Sequence, residues 1–151
     1  MAAQTITEFP GGFGQALEAL KTRKNYGPGE VLFRRGQAAR GIYLVESGSV
    51  RLEAINGVEQ GPFGTASQGV ILGLCETVSG HNYFLSAEAA TPVSVAFVSR
   101  VALLRFLREH HDYCMHVVRL LSEDLHLLYE SFRARRQEDA LSKKRTSRRL
   151  N

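Results

Sequence analysis

Glycines recur at short intervals through the first half of the chain and separate short runs of β-prone residues. Glycine stands at positions 27, 29, 36, 41, 48 and 57, and between these lie EVLF, IYLVE and SVRLEA. Short strands broken by glycine turns are typical of an all-β sandwich or barrel. The later runs GVILG, YFLSAEA and VSVAFV extend the pattern, while residues 56–68 suggest a loop or a poorly formed hairpin. We count roughly seven or eight strands in all.

The hydrophobic period changes from strand-like to helix-like at Ser99. Ser99 is a suitable N-cap for a helix over RVALLRFLREH, and Asp112 for a longer helix that runs to about Arg136. Near the N-terminus, the apolar residues of FGQALEALK follow helical spacing and predict one or two helical turns. The predicted fold class is therefore mainly β with flanking α-helices.

The long helix carries two neighbouring apolar rows. A stripe this wide must be covered on two sides. One row begins at Cys114 and runs to Phe132 with spacings of 4, 3, 4, 3 and 4, which is the spacing of a coiled-coil seam. A homodimer is therefore predicted, and the alternative is one wide intramolecular stripe. The predicted seam consists of Val118, Leu121, Leu125, Leu128 and Phe132.

Positive charge is concentrated at the C-terminal end. Residues 133–151 hold eight basic and two acidic side chains, whereas the whole chain has a net charge of +4. Residues 1–132 are therefore slightly acidic, and we expect any contact with a polyanion to be made by residues 133–151. We predict a helical lead at 1–24, one β domain with its long helix from about 112 at 25–132, and a basic, frayed tail at 133–151.

Several classes of protein are disfavoured by the sequence. Cys75 and Cys114 are far apart within apolar patterns, so we predict neither a disulfide framework nor a cysteine metal site, and a reducing cytoplasm fits best. The chain has no apolar run of membrane-spanning length and no secretory signal pattern. The spacing of His110, His111 and His116 matches no standard zinc site, and no catalytic motif is present, so we expect no metal and no enzyme.

Four short motifs line up within YGPGEVLFRRGQAARGIYLVESGSVRL. They are Pro28-Gly29-Glu30, Gly36, Gly41-Ile42-Tyr43 and Ser47-Gly48-Ser49-Val50. The set resembles the cyclic-nucleotide-binding domain of bacterial transcription regulators of the catabolite-activator/FNR (Crp/Fnr) type. This resemblance covers about residues 25–132 and implies a jelly-roll-like β-roll followed by a long dimerisation helix. The motifs shape the roll and do not contact a ligand.

The segment GVILGLCETVSGHNYFLSAEA falls where this family has its phosphate-binding cassette. There, the N–H groups of a short helix and an Arg hold the phosphate, and a Glu holds the ribose. Aligned on Gly73-Leu74, the Glu position is Ile71, the Arg position His81, the Ser/Thr position Asn82 and the small-residue position Tyr83. The resulting ligand-pocket candidates are Ile71, Leu72, Gly73, Leu74, His81, Asn82, Tyr83, Leu128 and Tyr129, of which the last two are near the expected purine.

Residues 69–89 contain neither Arg nor Lys. Losing both the Arg and the Glu weakens cyclic-nucleotide binding on the order of a hundredfold or more, at roughly 1.5–3 kcal/mol for each charge-assisted hydrogen bond. Three interpretations stay open, namely a cyclic nucleotide, a different small ligand in the same pocket, or a vestigial and mainly structural roll. No cofactor is assigned beyond these.

Only 19 residues follow Phe132. In the family a helix-turn-helix domain begins near this point, so we do not expect sequence-specific DNA binding from this chain alone. The predicted function is a ligand-sensing regulatory module of the cyclic-nucleotide-binding type. A dimerising scaffold with a vestigial pocket is the main alternative, and nonspecific nucleic-acid binding by the tail is the third hypothesis.

Overall fold

The computed structural model describes residues 4–5, 9, 12–56 and 59–150. Within these ranges, only the backbone is described at 4–5, 54–56, 59–63, 124–132, 135 and 149–150. The chain divides into two compact units, Met1–Cys114 and Met115–Asn151.

The first unit contains two antiparallel β-sheets. The described strands are β1 (Gln4–Thr5), β2 (Thr22–Tyr26), β3 (Val31–Phe33), β4 (Gly41–Ser47), β5 (Val50–Asn56), β6 (Glu59–Ala66), β7 (Val70–Leu72), β8 (Ser86–Ala89) and β9 (Val93–Ser99). One sheet has the order β1-β7-β4-β9-β2, and the other has the order β3-β8-β5-β6. The fold class expected from the sequence, mainly β with flanking helices, is confirmed.

The described helices are α1 (Phe13–Leu17), α2 (Leu74–Ser79), α3 (Arg100–Glu109) and α4 (His111–Leu150). As expected, Ser99 caps α3, because its side-chain oxygen accepts a hydrogen bond from the Ala102 N–H at 3.2 Å. Asp112 lies inside the first turn of α4 rather than before it. Its negative carboxylate interacts favourably there with the positive end of the helix dipole.

The basic segment after residue 132, which was expected to fray, is helical. The α4 helix does not end near Arg136 but continues through Leu150. Residues 133–150 contain neither Gly nor Pro, the two residues that most disfavour a helix. No helix in the described part of the chain is both long and apolar enough to cross a membrane.

The main core lies between the two sheets. One sheet contributes Tyr43, Val45, Leu72, Val93 and Val95, and the other contributes Leu32, Phe33, Val50, Leu52, Ala66, Ala87 and Ala89. Along β4, β5 and β9 the core residues alternate, so the residues between them face the other side of their sheet. The space between the sheets is where a ligand of the roll would have to lie.

A second cluster of rings joins α1, α3 and the first turn of α4. The Phe13 ring packs edge-on against Phe106 and Tyr113, with centroids 6.1 and 5.1 Å apart, and stacks on Phe9 at 4.2 Å. The α3 helix also packs against β4 and β9. The N-terminal helix and α3 therefore share one apolar layer on the outer side of the roll.

The segment at 56–68 is more regular than expected. It forms β6, which pairs along the whole of β5, with a register shift between Leu52 and Glu53. Pro62 falls within β6, and β6 is an edge strand of its sheet, where a missing N–H is tolerated.

Candidate ligand site

The short helix α2 lies at the position predicted for the cassette. A glycine in the left-handed region stands at each of its ends, Gly73 with φ of 79° and Gly80 with φ of 76°. A side chain at Gly73 would place its Cβ 2.7 Å from Cε1 of Tyr83. Gly73 is therefore required twice, for its backbone conformation and for the close approach of the tyrosine ring.

Tyr83 fills space between the sheets. Its ring stacks on Phe33 with centroids 4.0 Å apart, and Phe33 in turn packs against Tyr43 at 5.3 Å. The Tyr83 hydroxyl donates to the Gly41 carbonyl at 2.6 Å, so the polar end of this buried side chain is satisfied inside the protein. An aromatic group thus occupies part of the interior in which a ligand of the roll would lie.

The α2 helix is held to the rest of the domain by polar contacts. The fully buried Thr77 donates its hydroxyl to the Gly41 carbonyl at 3.0 Å. The Arg100 Nε donates to the Thr77 carbonyl at 2.9 Å. One side chain thus ties α2 to β4, and the other ties α2 to the start of α3. Any displacement of α2 must break at least one of these bonds.

Burial changes the ionisation of the interior tyrosines. Desolvation is the largest influence on the Tyr83 phenol and raises its pKa above the usual value. Desolvation also raises the pKa of Tyr43, with smaller contributions from Tyr83 and Tyr26. Both phenols are therefore neutral hydrogen-bond donors at physiological pH, and neither supplies charge to the interior.

The predicted pocket residues do not all face the interior. Leu72 belongs to the cluster between the sheets, whereas its neighbour Ile71 does not, although it is fully buried. Since adjacent strand residues face opposite sides, the Ile71 side chain faces away from the interior. At the position that the alignment gives to the ribose-binding Glu, this chain therefore has no side chain directed into the interior.

The remaining candidates divide by burial. Leu74 is buried at the start of α2, whereas His81 and Asn82 are exposed. Asn82 forms an isolated bridge with Ala38, and the His81 carbonyl accepts from the Ala39 N–H at 3.3 Å. The side chains of Leu128 and Tyr129 lie outside the described residues. The described candidates therefore fall into two groups, one buried and one in the exposed turn after α2.

A basic groove lies beside that exposed turn, and sequence reasoning missed it. It has a volume of about 740 Å³. We use the name basic groove for the cavity lined by Lys24, Ala38, Ala39, Arg40, Gly80, His81, Phe97, Ser99, Arg100 and Val101. Only His81 among these was predicted. The others are distributed over four separate parts of the sequence, and no motif links them.

A family model matches the chain over a large continuous region. The model of the cyclic nucleotide-binding domain matches residues 23–110, which is more than half of the chain. The chain belongs to the cyclic nucleotide-binding domain family. This confirms the resemblance seen in the glycine motifs. Membership of this family supports a ligand-sensing, regulatory role for the domain. A comparison with curated protein sequences found no significant match.

Solved structures share the fold of this cyclic nucleotide-binding domain. The catabolite activator protein of Thermus thermophilus superposes with a TM-score of 0.71 at 22% identity, covering 82% of this chain and 58% of that protein. The sensor domain of the regulator DNR from Pseudomonas aeruginosa gives 0.68 at 23%, covering 77% and 79%. The N-terminal domain of a Streptomyces coelicolor A3(2) transcriptional regulator gives 0.69 at 15%, covering 83% and 91%.

The length of the match differs among these structures. This cyclic nucleotide-binding domain spans less than two thirds of the Thermus protein and of two further structural relatives. At these identities the likeness establishes the fold. The expectation that the chain is not an enzyme agrees with a binding-domain family but stays a prediction.

Proposed function

We propose that this domain is a regulatory sensor whose cassette has lost the usual phosphate and ribose contacts. The observation that carries the proposal is the position of Tyr83, which stacks on Phe33 and donates to the Gly41 carbonyl at 2.6 Å. A cyclic nucleotide in the interior would have to displace this ring. Cyclic AMP and cyclic GMP therefore bind weakly, and the effector of the roll is smaller or less charged.

The charges around α2 support the same proposal. The turn from residue 73 to residue 83 contains no Arg and no Lys. The Arg100 guanidinium contacts α2, and its Nε donates a hydrogen bond to the Thr77 carbonyl at 2.9 Å. Among the described residues, the cluster between the sheets consists of tyrosine phenols and apolar side chains, and an unpaired charge buried there is strongly disfavoured.

The contacts of α2 give a path for a signal. An effector that displaces Tyr83 removes one of the two side-chain donors to the Gly41 carbonyl, and Thr77 provides the other. The Thr77 carbonyl is in turn bound by Arg100 at the start of α3. A shift of α2 is therefore transmitted to α3, and α4 follows α3 directly in the chain.

The homodimer is a further part of the proposal. Of the predicted seam, Val118 is 46% exposed and Leu121 is partly exposed, so both are accessible for contact with a second chain. The side chains of Leu125, Leu128 and Phe132 lie outside the described residues. The row keeps its coiled-coil spacing along one continuous helix, α4.

A dimerising scaffold without any effector is the second candidate function. The filled interior favours it, because a roll that needs no ligand gains stability by packing aromatic rings where the ligand would lie. Nonspecific binding of nucleic acid by the basic end of α4 is a third and separate property, for which the exposed side chains at 136–148 are suitably placed.

Titration calorimetry with cyclic AMP and cyclic GMP tests the proposal. For the wild-type chain we expect dissociation constants weaker than about 100 μM, since the charge-assisted contacts are missing. Tyr83→Ala removes the ring and should strengthen binding of uncharged nucleosides more than that of cyclic nucleotides. Tyr113→Ala is the control, because Tyr113 lies in the outer aromatic cluster. Submicromolar binding of either cyclic nucleotide to the wild type would refute the altered cassette, and no binding to any variant would favour the scaffold.

A further inference from the structure

The basic groove combines three cationic side chains with an apolar wall. Lys24, Arg40 and Arg100 line it together with His81, and Phe97 and Val101 supply apolar surface. Neither Asp nor Glu is among its lining residues, all of which are described. The cavity of about 740 Å³ is large enough for a small organic molecule.

Backbone pairing brings the two arginines of the groove together. The Arg100 N–H donates to the Arg40 carbonyl at 2.7 Å, so residues distant in sequence are fixed side by side. The Arg100 Nε is bound to the Thr77 carbonyl at 2.9 Å, and one terminal nitrogen lies close to Gly80. The Arg100 guanidinium is therefore held at one end of the groove before any ligand arrives, which reduces the entropy lost on binding.

Lys24 reaches the groove from the edge strand β2. Its ammonium lies 4.0 Å from the centroid of the Phe97 ring and 6.0 Å from that of Tyr43. A cation–π contact of this kind positions the ammonium without neutralising it. The described ion pairs of this region instead join Glu46 to Lys21 and Arg23.

The groove also receives the first residues of α3. Ser99 and Val101 line it beside Arg100, and α3 is a regular helix of 10 residues. The partial positive charge of a helix N-terminus adds to that of the three side chains. All of these contributions have the same sign, and the groove is open enough to admit a ligand without movement of α2.

We propose that the basic groove binds a small molecule that carries a diphosphate or triphosphate group. Three cationic side chains with no acidic neighbour among the lining residues match two or more negative charges, whereas a cyclic phosphodiester carries only one. Arginine suits such a group because its planar donors bind phosphate oxygens in pairs. Phe97 and Val101 provide the surface for an apolar or planar part of the molecule.

This site is distinct from the interior of the roll and does not depend on Tyr83. It is coupled to α2 through Arg100, which contacts both the groove and the Thr77 carbonyl. A phosphate group that fixes the Arg100 guanidinium also fixes its hydrogen bond to α2. Occupation of the groove therefore stabilises the position in which α2 is hydrogen-bonded to Arg100.

Calorimetry with pyrophosphate, ADP and cyclic AMP on the full chain tests the site. We expect pyrophosphate and ADP to bind and cyclic AMP to bind at least about tenfold more weakly. Arg40→Ala and Lys24→Ala should each weaken pyrophosphate binding by about tenfold, since each removes one phosphate contact. Arg105→Ala is the matched control, because Arg105 is an exposed arginine on α3 that does not line the groove.

The outcomes distinguish an inorganic phosphate ligand from a nucleotide, and both of these from an acidic protein partner. Equal affinity for pyrophosphate and ADP assigns the site to the phosphates alone, and tighter binding of ADP assigns it to a nucleotide. Equal loss in Arg40→Ala and Arg105→Ala, or binding abolished only by deleting residues 133–151, would overturn the proposal. An aspartate-rich peptide that binds more tightly than pyrophosphate, with the same dependence on Arg40, would also overturn it and assign the groove to an acidic protein partner.

Discussion

The hydroxyl of Tyr83 and the carbonyl of Gly41 are 2.6 Å apart, and this hydrogen bond joins the turn after α2 to the first residue of β4. The same carbonyl accepts the Thr77 hydroxyl at 3.0 Å. Gly41 itself has no room for a side chain, since a Cβ there would overlap the Val98 carbonyl and the Phe97 ring. The cassette region is thus anchored on one carbonyl group of a tightly packed strand.

Gly73→Ala should destabilise the domain more than Gly36→Ala. Both glycines have φ in the left-handed region, which costs an alanine roughly 1–2 kcal/mol. At Gly36 a Cβ would meet nothing within 4 Å, whereas at Gly73 it would lie 2.7 Å from the Tyr83 ring. The displaced ring adds a further cost of about 1–3 kcal/mol. Urea unfolding of the two variants measures the difference, and equal losses would show that Tyr83 moves aside freely.

Arg100→Ala should loosen α2 without unfolding the domain. The variant removes the hydrogen bond from Arg100 Nε to the Thr77 carbonyl. Local opening of α2 then requires less free energy, so amide exchange in α2 should become about tenfold faster. The Thr77 N–H, bound to the Gly73 carbonyl, and the His81 N–H, bound to the Glu76 carbonyl, report this opening. Arg105→Ala serves as the control, and unchanged exchange in Arg100→Ala would mean that α2 is held by packing alone.

How much could be read from the sequence depended on the range of the interactions involved. Alternating apolar residues and glycine turns predicted the roll, and the local Ser99 cap predicted the start of α3, because these signals are contained within a few residues. The regularity of β6 was not expected, because its Gly and Pro residues indicate a loop or a poorly formed hairpin, and the pairing with β5 stabilises the strand. The pairing of Arg40 with Arg100 left no sequence signal, since a contact between two strand ends creates it.

The buried tyrosines should make the domain less stable at alkaline pH. Desolvation raises the pKa of both Tyr43 and Tyr83 above the value of a tyrosine in the unfolded chain. The folded state then keeps its phenolic protons when the unfolded state has lost them. This contribution to stability is complete below about pH 10 and is lost as the pH rises through the folded-state pKa values, by up to about 1.4 kcal/mol per pH unit for each tyrosine.

Urea unfolding at a series of alkaline pH values measures this decline. Tyr83→Phe removes one of the two groups, so its stability should fall less steeply with pH than that of the wild type, even though the loss of the bond to Gly41 makes it less stable near neutral pH by about 1 kcal/mol. Parallel curves for the two proteins would show that Tyr83 ionises in the folded state as readily as in the unfolded chain.

Leu121→Glu should convert a dimer into a monomer. Leu121 belongs to the predicted seam on α4, one turn after the exposed Val118, and a glutamate there would place charge inside the apolar contact between two helices. Sedimentation equilibrium measures the mass of the wild type and the variant. Arg119→Glu is the control, because residue 119 lies on the opposite side of α4 from residue 121 by helical geometry and the change in charge is larger. A wild type that is monomeric at all concentrations, or a Leu121→Glu variant that stays dimeric, would exclude this seam.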